Sequence, residues 1–477
     1  MRNMKWWKLK RITMLPYKGD EDMFGEDFLF GASLSGFQFE MGRNSPESID
    51  RGSDWYAWAH DKLNIENGIV SGTFPESGPN YWTGFEEFHR LAADAGMKII
   101  RIGLEWSRIL PKPTFERWTD DLDDICNTEA IEHYRGIIED IRNRGIKVMV
   151  NLNHFSLPIW LHEPIRVNRY SDFTAGGWAD PRAAEEFRKF AALCGRRLGD
   201  IVDMWSTENE PNVLATLGYR NRASGFPPSI IRPELAGVAR DNLINAHLLG
   251  YEELKKETSS PVGLIYAMSW IDGEERAVDS ALKAQFEFID RIKDRTDFLG
   301  LNYYSRMVVE SDEESDIGYK LLPGFGQGCK PNSLSRYGRP TSDFGWEIYP
   351  EGLYNILKTT MRRYDVPVFV TENGIADATD GLRPYYLIGH LKAVETLIEE
   401  GFSVKGYMHW SLTDNYEWAS GLGMRFGLVS VDFNDGSLTP RPSYYLLKEI
   451  IKQGSVNGFK KMLKEPYDIF DETLLIK

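Results

Sequence analysis

The chain has 477 residues, 42% hydrophobic and 27% charged, with a formal net charge of −15. That length holds either several average domains or one large barrel with insertions, and it buries a sizeable core in both cases. The acidic balance argues against nucleic acid as a partner, since phosphate binding needs clustered Lys and Arg, and the three cysteines, Cys126, Cys194 and Cys329, show neither metal nor redox spacing.

In chain order, a basic segment comes first: Arg2, Lys5, Lys8, Lys10, Arg11 and Lys18 surround Trp6 and Trp7. It lacks the uninterrupted apolar core and small-residue cleavage site of a signal peptide. It reads as an extension over residues 1–20, docked on the surface or disordered rather than a membrane contact through its tryptophans. Residues 21–453 read as one unit without a low-complexity linker, and residues 454–477 as a tail. The tail's apolar Phe459, Leu463, Tyr467, Ile469 and Phe470 suit packing either across an interface or onto the chain itself. No stretch approaches the ~20 apolar residues of a membrane span. The sparse, odd set of cysteines fits reduced thiols in the cytoplasm.

Short β-rich apolar runs then recur at Phe28–Ser35, Lys98–Trp106, Ile146–His154, Ile201–Thr207, Val262–Met268, Phe298–Tyr304, Val366–Glu372 and Val404–Trp410. Apolar-periodic, charged segments separate them, among them Asn80–Gly96, Thr128–Arg144, Pro181–Leu198 and Pro384–Gly401. Strands alternating with helices predict a parallel sheet, and eight of them predict a closed (β/α)8 TIM barrel with extended βα loops. Gln38, Arg101, Glu105, Asn153, His154, Asn209, Glu210, Tyr304, Glu372, Asn373 and Trp410 fall near or just beyond the strands' C-terminal ends. In a TIM barrel those ends form the active-site face.

Two of these strands end in a glutamate flanked by asparagine. Trp205–Asn212 reads WSTENEPN, and Val366–Ile375 reads VPVFVTENGI. A lone glutamate at a strand end is commonly a solvated or salt-bridged group. A pair on strands four and seven suits acetal cleavage, in which one carboxyl protonates the leaving oxygen while another, ionised, attacks the anomeric carbon; at ~5–5.5 Å separation the configuration is retained. Mutual repulsion keeps the proton on one of the two. Arg101 is placed to hold the other ionised. No cofactor or metal is called for.

At these residues the sequence resembles glycoside hydrolase family 1, the β-glucosidase and β-galactosidase family, and within it the archaeal β-glycosidases. Seven segments match in the family's order: FLFGASLSGFQFEMG from Phe28, RIGLEWSRILP from Arg101, NLNHFSLPIWLHEP from Asn151, Thr-x-Asn-Glu-Pro at Thr207–Pro211, LGLNYYSR from Leu299, VFVTENGI from Val368 and HWSLTDNYEWASGLGMRFGL from His409. The resemblance covers about Asp27 to Ile450. It implies a retaining exo-acting β-glycosidase that releases terminal glucosyl or galactosyl residues, or the related fucosyl or mannosyl ones, from small glycosides and oligosaccharides. It implies Glu210 as general acid/base and Glu372 as nucleophile, with Arg101 and Tyr304 holding the nucleophile and Asn209 bonding the sugar 2-hydroxyl. Gln38, His154, Glu417 and Trp418 are then implied to bind glycone hydroxyls over Trp410 as a stacking floor. The archaeal likeness also implies a homo-oligomer, dimeric or tetrameric.

Two positions depart from the family's pattern. Glu208 stands where an apolar residue is usual; it reads either as salt-bridged to an arginine behind the strand or as a third carboxylate that raises the acid's pKa. Phe155 replaces the usual Trp after the histidine and leaves the sugar preference open. The intact Glu210 and the Glu417–Trp418 pair point away from thioglucosidases and 6-phosphoglycosidases. A transglycosylase of the same fold and a non-catalytic sugar-binding barrel are the competing readings.

Overall fold

The computed structural model describes residues 23–477, so the basic N-terminal extension lies outside the described residues. Eight parallel strands close into one barrel. They are β1 (Leu29–Ser33), β2 (Ile99–Gly103), β3 (Lys147–Asn153), β4 (Met204–Asn209), β5 (Val262–Ala267), β6 (Leu299–Asn302), β7 (Val368–Asn373) and β8 (Val404–His409), and β8 pairs back onto β1. The main crossover helices are α1 (Tyr81–Asp94), α2 (Thr128–Asn143), α3 (Ala183–Leu198), α4 (Pro233–Glu257), α5 (Glu275–Ile292), α6 (Pro350–Arg363), α7 (Arg383–Glu399) and α8 (Pro442–Gln453).

The elements follow from their patterning. Strands covered on both faces need near-continuous apolar runs, and β2, IIRIG, is buried at every position. Helix α2 buries Ile131, Tyr134, Ile137, Ile138 and Ile141, one stripe at helical spacing. Inside the barrel, Ile99, Met149, Met204, Ile265, Phe298, Phe369 and Met408 form one packed layer. Five of these seven fall at or before the third residue of their strand, and the polar residues gather toward the C-terminal end.

The fourth strand lies later than the expected Ile201–Thr207. Its first residues are spent in the turn after α3, and its end carries Ser206, Glu208 and Asn209, which broke the apolar run the sequence reading followed. The second run is shorter than expected because Trp106 opens a four-residue helix, Trp106–Ile109. The loops after β5 and β6 add a small sheet of Ile271–Gly273, Met307–Ser311 and Tyr319–Leu321. It packs Ile271 and Val309 against Ala277 and Ala281 of α5.

The C-terminal tail docks on its own chain. Ile469 is buried with Ile348, Ile375 and Tyr386, and Phe459, Leu463 and Phe470 join the main core. The backbone N–H of Asp471 donates to Glu351, Asn355 donates to the Leu474 carbonyl, and Lys358 donates to that of Ile476. Of the two packing modes the tail allowed, the intramolecular one is found. Among the described residues no helix is long and apolar enough to cross a membrane.

Candidate active site

The strand ends converge on one cavity lined by His154, Asn209, Glu210, Tyr304, Glu372, Trp410, Glu417 and Trp418. On a regular strand neighbouring side chains point to opposite faces, yet Asn209 and Glu210 both line this cavity. Two local features turn them in. The pairing of β4 with β5 slips between Ser206 and Asn209, a bulge of the kind that re-aims side chains. Glu210 then takes a left-handed backbone, φ 48° and ψ 52°, as the cap of helix Pro211–Arg220. A left-handed non-glycine residue costs on the order of 1–3 kcal/mol, and here the strain sits on a carboxyl that lines the cavity.

Glu372 is reached in the same way. The register of β7 shifts just before it against both neighbouring strands. Arg101 donates to its Oε1, and the Tyr304 hydroxyl donates to its Oε2 at 2.5 Å. Two residues on, only glycine fits: a Cβ on Gly374 would lie 1.7 Å from the Trp410 carbonyl oxygen. This close approach lets the ends of β7 and β8 meet, so that Glu372 and Trp410 share a wall.

Gln38 and Arg101 stand one layer behind the lining. Gln38 is fully buried; its amide donates to Asn415 at 3.0 Å and to Glu417 at 3.3 Å, while its oxygen accepts from Ser35. Arg101 also donates to Asn209 Oδ1 at 3.3 Å. His154 Nε2 faces the Asn209 amide at 3.2 Å. Trp410 stacks at 17° on His154, and Trp418 stacks at 7° on Phe37. Both indoles thus pack against the core and line the cavity with their remaining surface.

The electrostatics separate the carboxyls. Burial first, and the charge of Glu372 second, push Glu210 up to about 8, while Asn302 and Arg101 pull the other way. Burial, followed by Glu372 and Glu210, also pushes Glu417 up to about 8. Burial, with help from Arg101, holds His154 well below the usual imidazole range, so the ring is neutral.

Glu208 corrects the salt-bridge expectation. It is buried, and neither carboxyl oxygen has a hydrogen-bond partner. Burial alone raises it well above its ordinary value of 4.5, so the group is held as a neutral acid. Glu210 owes its rise to burial and Glu372, not to Glu208. Replacing Glu208 with Met, an unbranched apolar side chain, is expected to stabilise the fold by about 1–3 kcal/mol, because an orphaned polar group is removed from the interior. An acid whose pKa is raised on folding favours the native state fully below its unfolded value and loses that advantage as pH rises toward the native one. The gain in melting temperature for Glu208→Met is therefore larger at pH 8 than at pH 5. Thermal scans at both values check this, and an equal or reversed gap refutes it.

Two residues went unassigned in the sequence. Asn302, which ends β6, donates to Asn209 Oδ1 at 3.0 Å and to Glu210 Oε1 at 2.8 Å, with its own oxygen held by Thr371. Its place at a strand end directly before Tyr303-Tyr304 was the available signal. Glu105 accepts from the Phe37 backbone N–H and from the Ser156 hydroxyl, each at 2.7 Å. It thereby ties the segment carrying Gln38 to the loop carrying His154. Burial, then the charges of Glu40 and Asp50, raise it well above the carboxylate range, so a neutral amide is a fair replacement. Glu105→Ala is expected to lower kcat/KM by about 10–100-fold through misplaced substrate contacts, whereas Glu105→Gln stays within about threefold of wild type. Steady-state kinetics of both variants test this; equal losses would mean that the carboxyl contributes more than position.

Comparisons with known proteins place the chain in a family. The family described as Glycosyl hydrolase family 1 matches residues 20–290 and 275–456. The β-galactosidase of Saccharolobus solfataricus is 44% identical over 91% of this chain and 96% of its own length. The β-galactosidase of Pyrococcus woesei is 41% identical over 93% and 99%. The solved hyperthermophilic β-glucosidase of Pyrococcus furiosus superposes with a TM-score of 0.89 at 43% identity, covering 94% of this chain and all of that one. With matched segments running the length of the barrel and both glutamates in one cavity, this chain belongs to glycosyl hydrolase family 1.

Proposed function

We propose that this β-glycosidase removes a terminal glucosyl or galactosyl residue from small glycosides in two displacements, with Glu372 as nucleophile and Glu210 as general acid/base. The observation that supports this assignment is the contrast between the two carboxyls. Glu372 accepts hydrogen bonds from Arg101 and Tyr304, surroundings that suit an anion. Glu210 is pushed up to about 8 by burial and by the charge of Glu372, so it carries its proton at neutral pH.

In the first displacement a Glu372 oxygen bonds to the anomeric carbon as the glycosidic C–O bond breaks. Glu210 gives its proton to the departing oxygen, and the aglycone leaves as a neutral alcohol. In the second, Glu210, now a carboxylate, takes a proton from water. The water oxygen bonds to the same carbon and Glu372 departs as a carboxylate. Asn209, held by Arg101 and Asn302, faces the sugar's 2-hydroxyl. His154, Glu417 and the Trp410 face take the rest of the glycone, with Gln38 acting through Glu417.

The stereochemistry tests the pathway. Proton NMR during the first minutes of 4-nitrophenyl β-glucoside hydrolysis should reveal the β-anomer of free sugar before mutarotation. Initial release of the α-anomer would rule out two displacements.

A further inference from the structure

Glu417 and Trp418 reach the cavity from a tight turn over residues 417–421. The Glu417 N–H donates to the Gly421 carbonyl at 2.6 Å, and the Gly421 N–H donates to that of Trp418 at 3.0 Å. Trp418 sits at φ 47°, a left-handed backbone that a non-glycine residue keeps only where its surroundings impose it. The core packs one side of the turn, with the Trp55 and Phe37 rings centred 4.6 and 5.9 Å from that of Trp418. The other side meets residues 71–76, none of which lines the cavity.

That segment grips the turn at both ends. The Ser71 N–H donates to the Ala419 carbonyl at 2.8 Å, the Leu422 N–H donates to Thr73 Oγ1 at 3.1 Å, and the Tyr416 hydroxyl donates to the Thr73 carbonyl at 3.2 Å. The Ser71 and Thr73 hydroxyls bond each other at 2.8 Å, directly against Gly421, where a Cβ would lie 1.9 Å from Thr73 Oγ1. The segment is anchored in turn on the helix Asp54–His60. Phe74 stacks on His60 with ring centres 4.6 Å apart, and Tyr56 stacks on His60 at 4.1 Å. His60 Nε2 lies 2.9 Å from Glu76 Oε1, and Nδ1 lies 2.8 Å from the Tyr56 carbonyl oxygen. Both nitrogens face acceptors, so the ring carries two protons and a positive charge. Burial opposes that charge, but Glu76 and the Tyr56 carbonyl outweigh it and hold His60 above its ordinary range. Trp55 of the same helix packs on Trp418, so one short helix holds the turn from both directions.

We propose that Ser71, Thr73 and His60 are positioning residues for sugar binding: their segment braces the turn from outside the cavity and fixes where Glu417 and Trp418 meet the glycone. The inference rests on the reading of those two side chains as sugar contacts. Without the cross-bonds the strained turn relaxes, and a displacement of 1 Å at a binding group costs on the order of 10²-fold. The turn faces the sugar's hydroxyls and not its anomeric carbon. Loosening it therefore weakens ground state and transition state alike, and the loss falls on KM while kcat is kept.

The test is steady-state kinetics of the full chain on 4-nitrophenyl β-glucoside and β-galactoside. Thr73→Val keeps the branched shape and deletes the hydroxyl, and KM is expected to rise about 5–10-fold with kcat within about twofold, the scale of a lost hydrogen bond or two. Thr73→Ser keeps the hydroxyl and should hold KM within about twofold of wild type. His60→Ala removes the ring beneath Phe74 and should raise KM by about fivefold, although position 60 does not line the cavity. In a Glu417→Ala background the further cost of Thr73→Val should shrink to about twofold or less, since the two act through one contact. KM does not depend on how much of a variant folds, so a loss confined to kcat marks mere instability and overturns the brace. An unchanged KM in either Thr73→Val or His60→Ala, or a Thr73→Ser as impaired as Thr73→Val, overturns it too and leaves the glycosidase reading intact. A wild-type enzyme that hydrolyses neither glycoside overturns that reading itself.

Discussion

Glu372→Ala is expected to lower kcat for an aryl β-glucoside by about 10⁴-fold or more, the scale of loss seen when a nucleophile is deleted. The loss alone would not separate a nucleophile from an essential binding group, so the informative step is rescue. Azide is small enough to occupy the space vacated by the carboxylate and to attack the anomeric carbon from the same face. A single displacement then replaces the double one, and the product is the α-glycosyl azide. Rate recovery that rises with azide concentration, with inverted product identified by NMR, is the expected result. Residual activity above about 1% of wild type, or a β-configured azide product from this variant, would move the nucleophile elsewhere.

Glu210→Ala is expected to split substrates by their leaving groups. An alkyl glycoside needs a proton on its departing oxygen, and kcat/KM should fall by about 10²–10⁴-fold, the range general acid catalysis supplies. A dinitrophenyl glycoside departs unaided, so its first displacement is largely spared. The glycosyl-enzyme then accumulates, seen as a burst of phenolate followed by slow turnover. The pH profile gives the same assignment from another side. With Glu210 as the proposed acid its protonated form is the active one, so activity is expected to be lost as pH rises through about 8. Glu210→Gln removes that basic limb. Glu417 is also pushed up to about 8, and Glu417→Gln is the control that should weaken activity yet keep the limb. If the limb disappears with Glu417 instead, the ionisation belongs to sugar binding.

The barrel was legible because parallel strands buried on both faces leave near-continuous apolar runs: β5 is such a run, β2 is one but for Arg101, and β7 opens on Val-Phe-Val before its polar end. The exception was instructive: β4 carries Ser206, Glu208 and Asn209 at its end, and polar residues there broke the signal that located the others. The two glutamates were readable from their Asn neighbours and motif order, and both line one cavity. What single-sequence reasoning missed depends on register. Nothing in LGLNYY tells that Asn302 reaches Asn209 at the end of β4 and Glu210 just beyond it. The isolation of Glu208 was equally hidden, since an arginine partner is the ordinary solution for a buried carboxyl and only packing reveals its absence. The small sheet beside α5 escaped notice because its strands are short and half exposed, too brief for alternation to register.

The Asn302 amide has a consequence for proton traffic. Thr371 claims the oxygen of that amide, so its NH2 points at Glu210 Oε1 and donates there. An oxygen already receiving an N–H is the poorer seat for a hydrogen of its own, and the mobile proton therefore rides on Oε2. In the proposed cycle, departure to the aglycone and return from water then use one and the same atom. The side chain alternates between donor and acceptor without swivelling, because its other oxygen stays moored to β6 through the whole cycle.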